Sequence, residues 1–87
     1  MPTSPTPPIP LDTVAPVCGA IADVIREQRE ARGLSMYELA KRAGISRGTV
    51  GLVEARRSVP TFDMGARICA GLGIKLSELV GQAERRC

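Results

Sequence analysis

At 87 residues and a formal net charge of +3, the chain has room for one small domain with a modest core. With one Tyr, one Phe and no Trp, that core must be built from Leu, Ile, Val and Ala. The absence of His, and of any CxxC pair among Cys18, Cys69 and Cys87, removes the usual general base and the usual zinc spacings; an odd number of scattered cysteines suits a reducing cytoplasm better than a disulfide framework.

Residues 1–14 hold five prolines, too many for a stable helix or a central strand, so this segment is expected to be a disordered, Pro-rich tail. It lacks the basic-then-apolar order of a signal peptide, and no apolar run in the chain nears the roughly 18 residues of a membrane span. Pro16 suits the first turn of a helix, where its missing N–H costs nothing. Val17, Ile21, Val24 and Ile25 then form one buried stripe at helical spacing, with Gln28 at its border. Asp23, Arg26, Glu27, Arg29 and Glu30 fill the solvent face, and Gly33 ends the helix.

The stretch from Leu34 to Val53 carries the densest local signals. Ser35 can cap a helix and Glu38, three residues on, can reach back to its N–H, which makes a capping box. Leu34 and Leu39 flank the cap as a hydrophobic staple, and Leu39, Ala40 and Ala43 continue as an apolar stripe. Gly44 stops this second helix in the way a residue of positive φ does. Ile45 and Ser46 repeat the order of staple, then cap, and Val50 and Val53 form the inward face of a third helix. A helix, a short turn containing Gly and a second helix is the pattern of helix-turn-helix DNA-binding units. From Ser35 to Arg57, Lys41, Arg42, Arg47, Arg56 and Arg57 face only Glu38 and Glu54. The whole net charge therefore sits on this unit and the loop after it, where a phosphate-facing surface needs it.

Arg56 to Val59 read as a loop. Pro60 and Thr61 set up the next start, with Thr61 as cap. A fourth helix from Phe62 to about Leu72 is expected to bury Phe62, Ala66, Cys69 and Leu72, with Ile68 beside them and Cys69 as a core thiol. Gly73 ends it. Ile74, Leu76, Leu79 and Val80 belong to a short fifth helix, and residues 83–87 read as a frayed end. Gly48, Gly51, Gly65 and Gly71 fall inside these helices, each at roughly 0.5–1 kcal/mol relative to Ala. That makes the monomer marginal, unless the glycines admit close helix–helix approach.

Leu34-Ser35, Glu38-Leu39-Ala40, Ala43-Gly44-Ile45-Ser46, Val50 and Glu54, with Pro60 and Leu72-Gly73-Ile74, resemble the Cro/repressor-type helix-turn-helix family, also called the XRE family. The resemblance spans roughly Ile21 to Val80. It implies an all-α, five-helix, lambda repressor-like DNA-binding domain over about 15–82, with the helix-turn-helix unit at about 35–54 and no cofactor. It also implies that the second helix crosses the DNA backbone while the third, about 46–54, lies in the major groove. Carried onto this chain, the base-reading positions are Arg47, Gly48, Thr49, Gly51 and Leu52. Arg47 leads, because a guanidinium matches N7 and O6 of guanine. Ser46, Met36, Tyr37, Lys41, Arg42, Arg56 and Arg57 are phosphate candidates, which set affinity and register rather than sequence choice. Some positions depart from the family pattern. Met36 stands where many relatives carry a phosphate-bonding Gln, and Arg56 stands where a helix-ending glycine is common. Gly48 and Gly51 carry no reading side chain, which gives weight to shape readout.

The expected function is a sequence-specific regulator of transcription that binds double-stranded DNA as a homodimer on a palindromic operator. The apolar residues of the fifth helix exceed what so small a core needs, so the two-fold interface is expected at Leu76, Leu79 and Val80. The alternative is an antitoxin or other interaction module whose main partner is a protein, such as a toxin or a polymerase. With no paired carboxylates and no phosphate-cradling glycine loop there is no catalytic constellation, so neither an enzyme nor a small-molecule substrate is expected. The expected setting is the cytoplasm, at the nucleoid, of a bacterial or phage-encoded system, away from any membrane.

Overall fold

A computed structural model describes residues 5–87. Five helices follow in order: α1 (Val14–Ala31), α2 (Met36–Ala43), α3 (Arg47–Glu54), α4 (Phe62–Leu72) and α5 (Leu76–Arg85), with no strand among the described residues. The caps set most boundaries. Ser35 Oγ accepts from the Glu38 N–H and the Ser35 N–H donates to Glu38 Oε1, both at 3.0 Å. The Ser35 N–H bond to the charged carboxylate first, and the Ser35 hydroxyl second, hold Glu38 below the ordinary carboxyl range. Thr61 Oγ1 accepts from the Met64 N–H at 3.1 Å and starts α4. Gly44 and Gly73 close α2 and α4 at φ +68° and +74°, where a side chain would be strained. Lys75 has no side-chain acceptor to cap α5; its N–H donates to Glu78 Oε1 at 3.5 Å and its carbonyl accepts from the Glu78 N–H at 2.9 Å.

The core is aliphatic. Val24 and Ile25 of α1, Leu39 of α2, Val50 and Val53 of α3, Ile68 and Cys69 of α4, and Leu79 and Ala83 of α5 are nearly closed to solvent. Burial pushes the Cys69 thiol above its ordinary pKa, as expected of a packing residue. The two main pairings are α2 on α4 and α1 on α5. Gly71 permits the first: a Cβ there would lie 3.1 Å from Leu39 Cδ1 and 3.3 Å from the Ala43 backbone nitrogen.

Several expectations require correction. The irregular segment ends before residue 14, because Leu11–Thr13 form a 3-10 turn and α1 starts at Val14. The expectation for residues 1–4 lies outside the described residues. Phe62 and Ala66 are exposed; the buried face of α4 is Gly65, Ile68, Cys69 and Leu72. The chain end is not loose. Ala83 is fully buried, and the Arg86 guanidinium makes two 2.7 Å bonds to Glu27. Gln28 Nε2 donates to Gln82 at 3.1 Å, so α5 is tied along its length to α1. Arg29 leaves the solvent face altogether and pairs with Glu54 inside the fold.

Candidate nucleic-acid interface

The helix-turn-helix unit is α2, the turn Gly44–Ser46 and α3. Ile45 packs part-buried against the core and Ser46 caps α3, its Oγ accepting from the Thr49 N–H at 3.1 Å. The Ser46 and Thr49 hydroxyls also share a 2.7 Å hydrogen bond, so Thr49 is half-buried and turned back toward the cap. Val50, Val53 and Glu54 face inward. The opposite side of α3 presents Arg47, Gly48 and Leu52 to solvent, Leu52 at 49%. Around Gly48 nothing but the Ser46 hydroxyl lies within 4 Å of where a side chain would begin. On its outward side the first turn of α3 thus carries no side chain at Gly48 and one long cation, Arg47, at its start.

Among the base-reading candidates, then, Arg47, Gly48, Thr49 and Leu52 come together at the exposed end and flank of α3, beside the phosphate candidate Ser46. Gly51 does not join them: it is half-buried, and a Cβ on it would meet Met36 Sδ at 3.9 Å. Met36 itself packs part-buried against the core, which removes it from the phosphate candidates. Tyr37 is 63% exposed on the first turn of α2, and Lys41 and Arg57 are exposed. Arg42 and Arg56 are engaged elsewhere. Arg42 Nη1 donates to the Gly71 carbonyl at 3.3 Å, and Arg56 reaches back to Asp23 on α1. Among the described residues, the cations of this surface without a side-chain partner are therefore Arg47, Lys41 and Arg57.

Reading the sequence missed what holds the unit in place. Arg29 Nε and Nη2 donate to the two Glu54 oxygens at 2.7 and 2.9 Å, and Nη1 donates to the Leu34 carbonyl at 2.8 Å. One guanidinium thus joins the end of α1, the entry to α2 and the last residue of α3. A signal existed: Arg29 continues the Ile21–Ile25 stripe at a spacing of four, and Glu54 lies four after Val50. Two opposite charges on inward stripes point to a pair.

Leu79 is also misplaced as an interface residue. It is 1% exposed, inside its own domain, because the α1–α5 contact encloses it. Leu76 and Val80 remain half-buried beside a groove of about 70 Å³ that Ile21, Pro60 and Phe62 complete. No helix among the described residues is long and apolar enough to cross a membrane.

A family model described as helix-turn-helix matches residues 25–79. An HTH-type transcriptional regulator of Methanothermobacter thermautotrophicus is 40% identical over 50 residues, 58% of this chain and 72% of that one. The clp gene regulator ClgR from Corynebacterium glutamicum has a similar structure, with TM-score 0.75, 24% identity and coverage of 91% of this chain and 79% of that one. At that identity the likeness is one of fold. The hypothetical transcription factor NHTF from Neisseria gives TM-score 0.68 at 27% identity, covering 90% of this chain and 86% of that one.

Proposed function

The chain belongs to the XRE-type helix-turn-helix family of DNA-binding transcriptional regulators, which are not enzymes, and from that premise we propose that it acts as a homodimer on a palindromic operator, with α3 in the major groove. The carrying observation is the exposed start of α3, where a Ser46-capped bare turn offers Arg47 at its tip. A first turn without bulk lets the backbone approach the groove closely, and a guanidinium there can address a guanine edge. Thr49 is occupied by the cap, and Gly48 carries no side chain. Direct readout thus rests on Arg47, with Leu52 placed to meet a thymine methyl. Lys41 and Arg57 supply phosphate contacts on either side.

Selection of bound duplexes from random DNA tests the reading. Enrichment of two inverted half-sites about one helical turn apart is expected. Failure to enrich any duplex, or enrichment of a single asymmetric site, would overturn it. On the selected site, Arg47→Ala should cost ~1–3 kcal/mol and relax one base pair per half-site. Arg57→Ala should weaken all sequences alike and flatten the salt dependence by about one phosphate contact. Equal, sequence-independent losses in both variants would remove the division between reader and positioner.

A further inference from the structure

The loop between α3 and α4 is held in an uncommon way. Arg56 sits at φ +61°, a left-handed conformation that a long side chain seldom adopts. From there its guanidinium crosses to α1, where Nη2 donates to the Asp23 carboxylate. It lies over Gly19 so closely that a Cβ at that position would stand 2.8 Å from Nη1. Elsewhere the loop stands off α1. A cleft of about 340 Å³ separates Ala15, Cys18 and Gly19 from Ser58, Val59 and Pro60. Val59 is 64% exposed, so apolar burial does little to hold the loop. Among the described residues, the Arg56–Asp23 bond is the one side-chain hydrogen bond between this loop and α1. Immediately after it, the Arg57 and Ser58 N–H groups both donate to the Leu52 carbonyl, at 2.9 and 3.2 Å. These bonds close a left-handed turn at the end of α3 whose one unfavourable φ falls on Arg56, so the exit of Arg57 depends on a backbone conformation that the Asp23 bond helps to hold.

We propose that Arg56 is a positioning residue: bound to Asp23 across Gly19, it straps the α3–α4 loop to α1 so that Arg57 meets a DNA phosphate from an already ordered loop. The proposal rests on the DNA-binding reading above. Its physical content is preorganisation: a loop ordered before binding need not be ordered during it, and that ordering would otherwise reduce affinity. A glycine at position 56 would suit the backbone better but could not reach α1. A glycine at position 19 is what lets the guanidinium pass.

Gly19→Ala tests this cleanly. Its methyl group displaces the far end of a flexible side chain rather than backbone, and Ala in place of Gly favours α1 itself. Asp23→Asn removes the acceptor charge without touching the loop. In both variants, amide exchange at Arg57 and Ser58 should accelerate in the free protein, while the thermal midpoint of Gly19→Ala stays at or above that of the wild type. Duplex affinity should fall about three- to tenfold, with the salt dependence flattened by about one phosphate contact. Adding Gly19→Ala to Arg57→Ala should cost nothing further. Unchanged exchange at Arg57 and Ser58 overturns the strap. Faster exchange with wild-type DNA affinity overturns its positioning role. A further lost contact on adding Arg56→Ala to Asp23→Asn shows that Arg56 itself binds phosphate, and also overturns the proposal. Absence of duplex binding by the wild-type protein is a different result, and it rejects the underlying reading instead.

Discussion

Arg29 and Glu54 are nearly out of water, with side chains 11% and 3% exposed. The bidentate bond to Glu54 holds the Arg29 guanidinium above its ordinary pKa, against the opposing cost of burial, so it remains charged throughout the accessible pH range. The pair adds little net stability, since burying two charges costs nearly what their attraction returns. Removing one partner is another matter, because it strands the other. Glu54→Ala or Arg29→Ala should destabilise by about 3–5 kcal/mol in denaturant titration. Replacing both together with apolar residues of similar volume should recover most of that loss. If each single variant costs under about 1 kcal/mol, water reaches the pair and it is no more than a surface bridge. Against a total of roughly 5–15 kcal/mol for a small domain, the expected loss is large enough to read without ambiguity.

The helical glycines separate into kinds once the elements are packed. At Gly71, α4 approaches α2 so closely that a methyl group would press on Leu39, Arg42 and the Ala43 backbone. Gly71→Ala should therefore destabilise by ~1–3 kcal/mol through overpacking, despite the better helix propensity of Ala. At Gly48 the space is open, so Gly48→Ala should stabilise the isolated protein by roughly 0.5–1 kcal/mol. The same methyl group would stand on the surface proposed to enter the groove, so that gain should come with weaker operator binding. Thermal melting of the two variants must move in opposite directions; movement in the same direction would break the distinction. A glycine inside a helix is thus a packing device in one element and an open turn in another.

For the whole molecule, the proposed two-fold interface keeps Leu76 and Val80, loses the buried Leu79 and gains Phe62. Phe62 is 85% exposed at the start of α4, Val59 lies just before it, and Leu76 and Val80 border the same groove. A large aromatic left in water beside an apolar groove is the kind of surface that a second copy covers. A stable interface needs about 800 Å² from each partner, so the contact must extend beyond this patch along α5. Phe62→Asp should leave the melting of the monomer nearly unchanged, since the ring touches little of its own domain. It should shift sedimentation from dimer to monomer and weaken binding to a full operator more than to a half-site. A wild-type monomer at micromolar concentration, binding the full site without cooperativity, would remove the interface.

The elements themselves were legible in the sequence because their signals are local. Ser35 and Glu38, Ser46 and Thr49, and Thr61 and Met64 lie within one helical turn of each other, and each cap forms between residues that the backbone already brings together. The stops at Gly44 and Gly73 need only their own φ. The exposed end of α3 follows from the same information, since a cap fixes the start of a helix and the apolar residues fix its inward face. Charge partnerships did not follow. Arg29 meets Glu54 at a separation of 25 residues, Arg56 meets Asp23 at 33, and Arg86 meets Glu27 at 59. Which cation of a basic stretch is free for phosphate depends on where the helices cross, and no periodicity along the chain encodes that crossing. The sequence alone therefore determined five helices and the inward faces of α2 and α3, but not that Phe62 and Ala66 of α4 stay in water or that Arg29 of α1 turns inward. The tertiary structure decided that Arg42 and Arg56 are tied to other helices, and that Leu79 and Ala83 belong to the core, because long side chains find their partners only after α4 and α5 have closed over α1 and α2.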